Sequence, residues 1–389
     1  MMQSADTRRQ IVSSYLDNVS IDDGLLKELR DMLVALENIP KKEDKYILTL
    51  CGEKNIGLDL SYEINEIKKD LLFLEDGEAA FDIFLAELYP GFDEAVNAGY
   101  ELLKDVPLRN FITDRDGTIN NYCGRYASST QSVYNSIYLS RFAEVVTDNS
   151  VILTSAPLED IGLVDISVNK PGIFIYAGAK GRRYIGKDQN RGQKPIKEFR
   201  QKKLDAFNKK IKELVKKKEY QIYTFIGSGL QFKFGQTTIA RQNMAGSIPE
   251  DVSRNFLDII KNMVGQIDPD KEFLRIEDTG TDIEVLLTIE SDEDDVELKD
   301  FDKGDGVKFL NEALGLDLGN GANLICGDTN SDVPMVPASM DYTKDTWAIF
   351  VTRSDELKEK VREVCPNSYF VPEPDMLVAI LNKLAKGKK

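Results

Sequence analysis

Apolar residues recur at helical spacing near the start of the chain, at Leu25, Leu26, Leu29, Met32, Leu33 and Leu36. With Ser20 as a cap and Pro40 as a stop, the spacing predicts an amphipathic helix within residues 21–40. Shorter stripes follow at Ile64, Ile67, Leu71 and Leu74, at Phe81, Phe84, Leu85 and Leu88, and at Phe92, Val96, Tyr100 and Leu103. Residues 1–105 are therefore expected to form an all-α antiparallel bundle, serving for self-association, for docking of a protein partner or as a structural appendage.

Beyond Pro107 the period changes. Short apolar runs at 108–113, 151–154 and 173–175 alternate with helical stretches, and the alternation resumes at 324–326 and 347–351. The two blocks, 106–189 and 299–389, predict halves of one parallel α/β sheet interrupted by an α+β insertion at 190–298. The insertion reads as a Lys-rich helix over 197–218, strands near 220–225, 230–234 and 237–241, a helix over 249–264, and strands at 272–276 and 282–289. A helix-strand-strand unit thus occurs twice, which suits an open sheet with helices on one face, a lid over a site on the core. Phe199, Leu204, Phe207, Ile211 and Leu214 give the basic helix one apolar side, so its lysines are expected to form a solvated face. The acidic run 290–295 is expected to be a solvated loop.

Composition narrows the chemistry. A chain of 389 residues, 42% hydrophobic and 30% charged, can bury cores in two or three units. It contains no histidine, which excludes Ser-His-Asp and Cys-His catalysis and every metal site that needs imidazole. The balance of 50 Lys+Arg against 66 Asp+Glu gives a net charge of −16, so no nucleic-acid partner is expected. Cys51, Cys123, Cys326 and Cys365 form no CxxC pair, so reduced cytoplasmic thiols are expected rather than a zinc ribbon or disulfide framework. The first residues lack the apolar core of a signal peptide, and no stretch approaches the roughly 18–20 apolar residues that span a bilayer. A cytoplasmic protein with no membrane contact is the resulting expectation.

The strand at 108–113 runs into Asp114-Arg115-Asp116-Gly117-Thr118, and carboxylates two apart at an extended strand end face the same way. Ligands of open parallel sheets bind beyond the carboxyl ends of the strands, where this pair would sit. Paired carboxylates need a cation between them, which points to Mg²⁺. A second cluster, Gly327-Asp328-Thr329-Asn330-Ser331-Asp332, follows the apolar run 324–326. Neither cluster is a calcium loop, because the sixth positions are Ile119 and Val333 and the twelfth are Arg125 and Ser339, where Gly and an acid are required. Thr154 and Ser155 end another strand and offer hydroxyls and N–H groups to a phosphate, and Lys303 begins a helix at a suitable place for a cation. A plain turn, a strand-end hydroxyl and a surface lysine are the alternatives for each piece taken singly.

Taken in order, Asp-x-Asp-x-Thr, a strand-end Thr-Ser, a Lys and Gly-Asp-x-x-x-Asp resemble the haloacid dehalogenase (HAD) superfamily of phosphohydrolases over roughly residues 108–389. The lid between the second and third signatures, with its αββ repeat, looks like the C2-type cap of trehalose-6-phosphate and sucrose-6-phosphate phosphatases. The run from Asn120 through Tyr126 and the run 327–335, behind a helical amino-terminal segment, are most similar to nematode-type trehalose-6-phosphate phosphatases. The resemblance implies an α/β fold with a HAD-like Rossmannoid parallel-sheet core, an inserted cap and an N-terminal bundle.

It also implies a phosphorylated sugar as substrate, Asp114 as nucleophile and Asp116 as acid and base. By the same resemblance Thr118, Thr154, Ser155 and Lys303 would hold the phosphoryl group. Asp114, Asp116, Asp328 and Asp332 would hold Mg²⁺. Lys233, Arg241 and Glu284 are the candidate sugar contacts, although the family's lid signature carries a His that this chain lacks. Hinges for the lid are expected near 188–195 and 298–302. Alternatives are a phosphatase of sucrose phosphate or of a phosphorylated glycosyl-glycerate or glycerol glycoside, and a non-catalytic scaffold on the same fold.

Overall fold

The computed structural model describes residues 2–50, 54–243, 246–289 and 299–388. The run 290–295 and Cys51 lie outside them. The amino-terminal unit opens with α1 (Met2–Leu16), whose stripe is too weak to stand out in the sequence, and α2 (Asp23–Glu37). The cap of α2 is Asp22, not Ser20: its carboxylate accepts the Gly24 N–H at 2.6 Å. Three antiparallel strands follow, β1 (Lys41–Lys42), β2 (Lys45–Leu50) and β3 (Lys54–Leu58), so the unit is not all-α as expected. Tyr46 and Ile56 are buried from this small sheet, too few apolar positions for a period of two to show before folding. Helices α3 (Ser61–Glu75), α4 (Gly77–Leu88) and α5 (Phe92–Leu103) complete the unit and match the three later stripes.

The core begins with β4 (Leu108–Thr113), α6 (Val133–Val145), β5 (Asn149–Leu153), α7 (Leu163–Ile166), β6 (Ile175–Gly178), β7 (Arg183–Ile185) and β8 (Arg191–Gln193). The inserted cap holds α8 (Glu198–Val215), β9 (Leu230–Lys233), β10 (Gln236–Ala240), α9 (Glu250–Ile267), β11 (Leu274–Asp278), β12 (Asp282–Ile289) and β13 (Lys299–Asp300). The chain then returns through α10 (Lys303–Leu314), β14 (Ala322–Gly327), α11 (Met335–Met340), β15 (Thr346–Val351), α12 (Asp355–Val364), β16 (Ser368–Val371) and α13 (Pro374–Gly387).

The core sheet has the order β16-β15-β14-β4-β5-β6-β7-β8, parallel through β6 and antiparallel at the last two strands. β8 pairs with β7, so residues 191–193 belong to this sheet although they were expected within the insertion and its hinge. At the other crossing, β13 pairs with β12 and so belongs to the cap sheet. Connections from β4 run to one side of the sheet and those from β14 to the other, so the loops after these adjacent strands diverge and leave a crevice. The strand period of two divides the core: Phe111, Ile152, Leu324 and Ile349 face one layer, and Ile112, Val151, Ile325 and Ala348 face the other.

The first layer, α6 and α13, is covered in turn by the amino-terminal helices. Phe73 and Phe81 of that unit meet Tyr134 and Tyr138 of α6, with the Phe81 and Tyr134 ring centroids 4.5 Å apart. The unit therefore forms a third layer continuous with the main core.

In the cap, the order β11-β12-β10-β9 realises the doubled helix-strand-strand pattern, with α8 and α9 on one face over Ile239, Ile283 and Val285. Leu204, Phe207 and Ile211 of α8 are buried as expected, but Phe199 is half exposed. Residues 220–225, expected as a strand, contain instead a 3₁₀ turn, Gln221–Thr224. Tyr220 and Tyr223 both stack on Phe256 of α9, and residues three apart can share one partner only on a helical turn.

Candidate active site

Asp114 follows directly on β4, and its N–H donates to the Cys326 carbonyl of β14 at 2.9 Å, tying the two strand-end loops together. The next residues close on the Arg115 carbonyl, which accepts from Thr118, Ile119 and Asn120, while the Gly117 N–H donates to the Asn120 carbonyl at 2.7 Å. Gly117 has φ +87°, and a Cβ there would lie 2.3 Å from Asp328 Oδ2. Both the turn and the approach of the second acidic loop thus require glycine.

Asp114, Asp328 and Asp332 converge, each offering a carboxylate oxygen within 4.8 Å of the others. Lys303, first residue of α10, reaches between them, with Nζ 2.5 Å from both Asp114 Oδ1 and Asp332 Oδ1. Its helix begins on a capping box: Asp305 N–H donates to Asp302 Oδ1 at 2.9 Å and Asp302 N–H to Asp305 Oδ2 at 3.1 Å. Gly306 permits the helix to approach the loop after β6, since a Cβ there would lie 2.1 Å from the Lys180 carbonyl oxygen.

The electrostatics follow from two buried carboxylates, Asp114 and Asp332, sharing one ammonium beside the half-buried Asp328. Burial, with the charges of Asp332 and Asp116, pushes the Asp114 carboxyl up against the pull of Lys303. Burial and the charges of Asp114 and Asp332 push Asp328 up. For Asp332 burial acts in the same direction, but Lys303 and the backbone N–H groups of Asp328 and Thr329 outweigh it and hold the carboxyl low. Its Oδ2 accepts Asp328 N–H at 3.0 Å, Thr329 N–H at 2.8 Å and the Thr329 hydroxyl at 2.9 Å. Asp332 is therefore fixed by its own loop, Asp114 shares the Lys303 ammonium with it, and Asp328 makes no ion pair among the described residues. A hard divalent cation fits this all-oxygen donor set.

Asp116 is not part of the carboxylate group. Its side chain is ion-paired with the Arg115 guanidinium, which is buried and also donates to Ser129. Thr118 was expected to hold phosphate, but it is fully buried with its hydroxyl 3.0 Å from Asp328 Oδ1 and 3.4 Å from Asp114 Oδ2. Its hydroxyl contacts the two carboxylates, and Thr118 is not among the residues that line the cavity. Thr154 Oγ1 accepts the Ala156 N–H at 3.2 Å and so keeps its proton free to donate.

A cavity of about 390 Å³ lies between core and cap. Asp114, Asp116, Thr154, Ser155, Lys303 and Asp328 line it from the core, and the open face of the cap sheet closes it with Gln231, Lys233, Thr238 and Glu284. Register explains that face: Thr238 lies opposite Gln231 on one side and Glu284 on the other, so three polar residues form a row across three strands. Lys233 shares the face with Gln231, two residues apart, and burial pushes its ammonium down while Glu284 opposes the shift.

Lys233 and Glu284 thus reach the cavity, and Arg241 does not. Arg241 stands one residue past β10, where Nε bonds Asp278 Oδ1 at 2.8 Å and Nη1 bonds Ser253 Oγ at 2.7 Å, joining the cap sheet to α9. Gln231, Thr238, Tyr122 and Tyr126 line the cavity without having been singled out as contacts. The period-two relation to Lys233 could have flagged Gln231, whereas Thr238 needs the cross-strand register. The Tyr126 hydroxyl is buried with no partner among the described residues.

Two family models match. One, described as "Trehalose-6-phosphate phosphatase, C-terminal", covers residues 111–377. The other, "Trehalose-6-phosphate phosphatase N-terminal helical bundle domain", covers residues 1–87. Among curated relatives, alpha,alpha-trehalose-phosphate synthase (UDP-forming) 1 of Aphelenchoides avenae is 31% identical over 97% of this chain and 34% of its own length. The chain thus spans about a third of that relative. A trehalose-phosphatase of Caenorhabditis briggsae is 26% identical over 95% of this chain and 92% of its own. Among solved structures, the C-terminal domain of C. albicans trehalose-6-phosphate phosphatase is 15% identical with a TM-score of 0.48, covering 75% of this chain and 96% of that one.

Proposed function

This chain belongs to the trehalose-6-phosphate phosphatase family, and from that premise we propose that it hydrolyses trehalose 6-phosphate to trehalose and inorganic phosphate. The observation that carries the reading is the meeting of Asp114, Asp328, Asp332 and Lys303 at the floor of a cavity whose roof is a row of polar side chains.

Asp114 attacks phosphorus and the bond to the sugar oxygen breaks, giving an aspartyl-phosphate. Asp116, held at the cavity edge by Arg115, supplies the proton that the departing oxygen takes. Asp116 then removes a proton from the water that cleaves the acyl phosphate, which restores both carboxyl groups. Lys303 and the Thr154 and Ser155 hydroxyls face the charge spread over the transferred oxygens. Mg²⁺ held by Asp114, Asp328 and the backbone oxygen of Asp116, with Asp332 orienting the loop, would supply positive charge against the approach of one anion to another. Gln231, Lys233, Thr238 and Glu284 bind the sugar hydroxyls and hold the cap shut, excluding bulk water. Cys326 and Cys365 as buried free thiols support a reducing compartment, the cytoplasm. Among the described residues, no helix is long and apolar enough to cross a membrane.

The test is phosphate release from trehalose 6-phosphate, sucrose 6-phosphate and glucosylglycerol phosphate with Mg²⁺ present. Wild-type protein should prefer the first by kcat/KM, and Asp114→Asn should lose at least about a thousandfold with its circular dichroism unchanged. Release from none of the three substrates, or an active Asp114→Asn protein, would overturn the assignment.

A further inference from the structure

Helix α3 of the amino-terminal unit reaches the catalytic turn of the core. Tyr62, the second residue of α3, is 6% exposed, and its hydroxyl donates to the Thr130 carbonyl at 2.7 Å and accepts from Asn120 Nδ2 at 2.9 Å. Burial and the nearby Glu66 charge push the phenol well above its ordinary value, so the hydroxyl keeps the proton it donates. Two further bonds run to the same helix: Asn121 Nδ2 donates to Glu66 Oε1 at 3.2 Å, and the Cys123 thiol donates to Glu63 Oε1 at 3.7 Å. Residues 120, 121 and 123, just past the catalytic turn, are thus each gripped by α3.

Both partners of the Tyr62 hydroxyl lead to Asp116. Asn120 closes the turn that carries it: its carbonyl accepts the Gly117 N–H at 2.7 Å, and its N–H donates to the Arg115 carbonyl at 3.0 Å. Thr130 follows Ser129, whose hydroxyl and carbonyl accept the Arg115 guanidinium, the cation paired with the Asp116 carboxylate. The backbone of Asp116 and the side chain that holds it are therefore fixed from two directions, and one phenol joins the two supports. We propose that Tyr62 is a positioning residue for the reaction: it keeps the turn and the seat of Arg115 at the separation that aims the Asp116 carboxylate, so that the amino-terminal unit completes the active site. The inference rests on the proposed role of Asp116 as acid and base. General acid–base catalysis contributes about 10²–10⁴-fold, and a misplacement of about 1 Å can cost about a hundredfold. Tyr62 is not among the residues that line the catalytic cavity, so substrate binding should not depend on it.

Steady-state turnover of trehalose 6-phosphate by the full chain with Mg²⁺ present tests this through Tyr62→Phe, which removes the hydroxyl and keeps the ring. Its kcat should fall at least about fivefold, with KM within about twofold of wild type. Tyr138→Phe is the matched control, because that hydroxyl bonds Asp82 Oδ1 at 2.9 Å across the same boundary and bonds neither Asn120 nor Thr130; its kcat should stay within about twofold of wild type. Added to Asp116→Asn, Tyr62→Phe should change the residual rate by less than about twofold, since it acts through that carboxylate. Asn120→Ala drops the amide and keeps the backbone bonds of the turn; it should repeat the Tyr62→Phe result, and it decides the question if Tyr62→Phe fails to fold. A smaller fall in kcat in the folded variants, an equal loss in Tyr138→Phe, a rise in KM in place of the fall in kcat, or a further loss of about fivefold on top of Asp116→Asn would each overturn the inference and leave the proposed function standing. Wild-type protein inert toward sugar phosphates would overturn both.

Discussion

Lys69→Met should destabilise the amino-terminal unit and the catalytic core together. The ammonium lies 2.9 Å from Glu66 Oε1 and 2.7 Å from Asp375 Oδ2, and the three side chains are 5%, 4% and 1% exposed. Removing it leaves two carboxylates facing each other out of water, and breaking a buried ion pair costs about 3–5 kcal/mol. Asp375 keeps the Tyr89 and Tyr134 hydroxyls and the Asn121 amide, whereas Glu66 keeps only Asn121 among the described residues. The lower end of that range, about 3 kcal/mol, is therefore expected. Urea unfolding would measure it with two reporters: the single tryptophan, Trp347 on β15, for the core, and far-ultraviolet dichroism for the whole chain. Both transitions should move together, because the unit and the core share one apolar layer. A loss below about 1 kcal/mol, or a tryptophan transition that stays while the helices melt early, would refute the reasoning.

The remaining predictions concern acid, the cap and the catalytic turn. Burial pushes the Glu78 carboxyl up, but hydrogen bonds from Lys386, Arg141 and Asn382 outweigh it and bring it down to about 2. Because the folded value lies below the ordinary 4.5, its stabilisation is full above pH 4.5 and is lost as the pH falls toward 2. Partial exposure reduces the contribution to about 1–2 kcal/mol, and a Glu78→Gln protein should show a correspondingly flatter acid denaturation profile. Arg241→Met should lower the melting temperature through loss of the Asp278 and Ser253 bonds and leave KM near wild type, whereas Lys233→Met should raise KM roughly ten- to hundredfold with little change in melting temperature. The opposite pattern would return Arg241 to the sugar site. Gly117→Ala places a Cβ 2.3 Å from Asp328 Oδ2 and should weaken Mg²⁺ binding, read by titration calorimetry, together with turnover.

Deleting residues 1–105 asks whether the amino-terminal unit is a docking module or a layer of the catalytic core. Helix α13 is apolar on every side through Met376, Leu377, Val378, Ala379, Ile380 and Leu381, and α6 is buried almost throughout, so both are interior helices covered from outside by α1, α3, α4 and α5. Truncation should leave aromatic surface around Tyr134 and Tyr138 in water and yield insoluble protein. That layer was partly legible in the continuous apolar run of α13, which an amphipathic surface helix would not carry.

The elements and the floor of the site were legible in the order of the amino acids. Period and punctuation placed β4, the αββ repeat and most helices, and strand ends fixed Asp114, Thr154 and Asp328 at one mouth, because a parallel sheet leaves its loops no other exit. That order also held Lys303 at the start of α10, where the capping pair Asp302 and Asp305 marks the turn. Relations across the chain emerged only on folding. The Thr118 hydroxyl met the carboxylates of Asp114 and Asp328, Arg241 turned into the cap, and Gln231, Thr238 and Glu284 came into one row. The difference lies in the range of the signal. Local periodicity reports which face of an element is apolar, whereas the partner of a polar side chain depends on register between strands and on layers contributed by residues tens to hundreds of positions away.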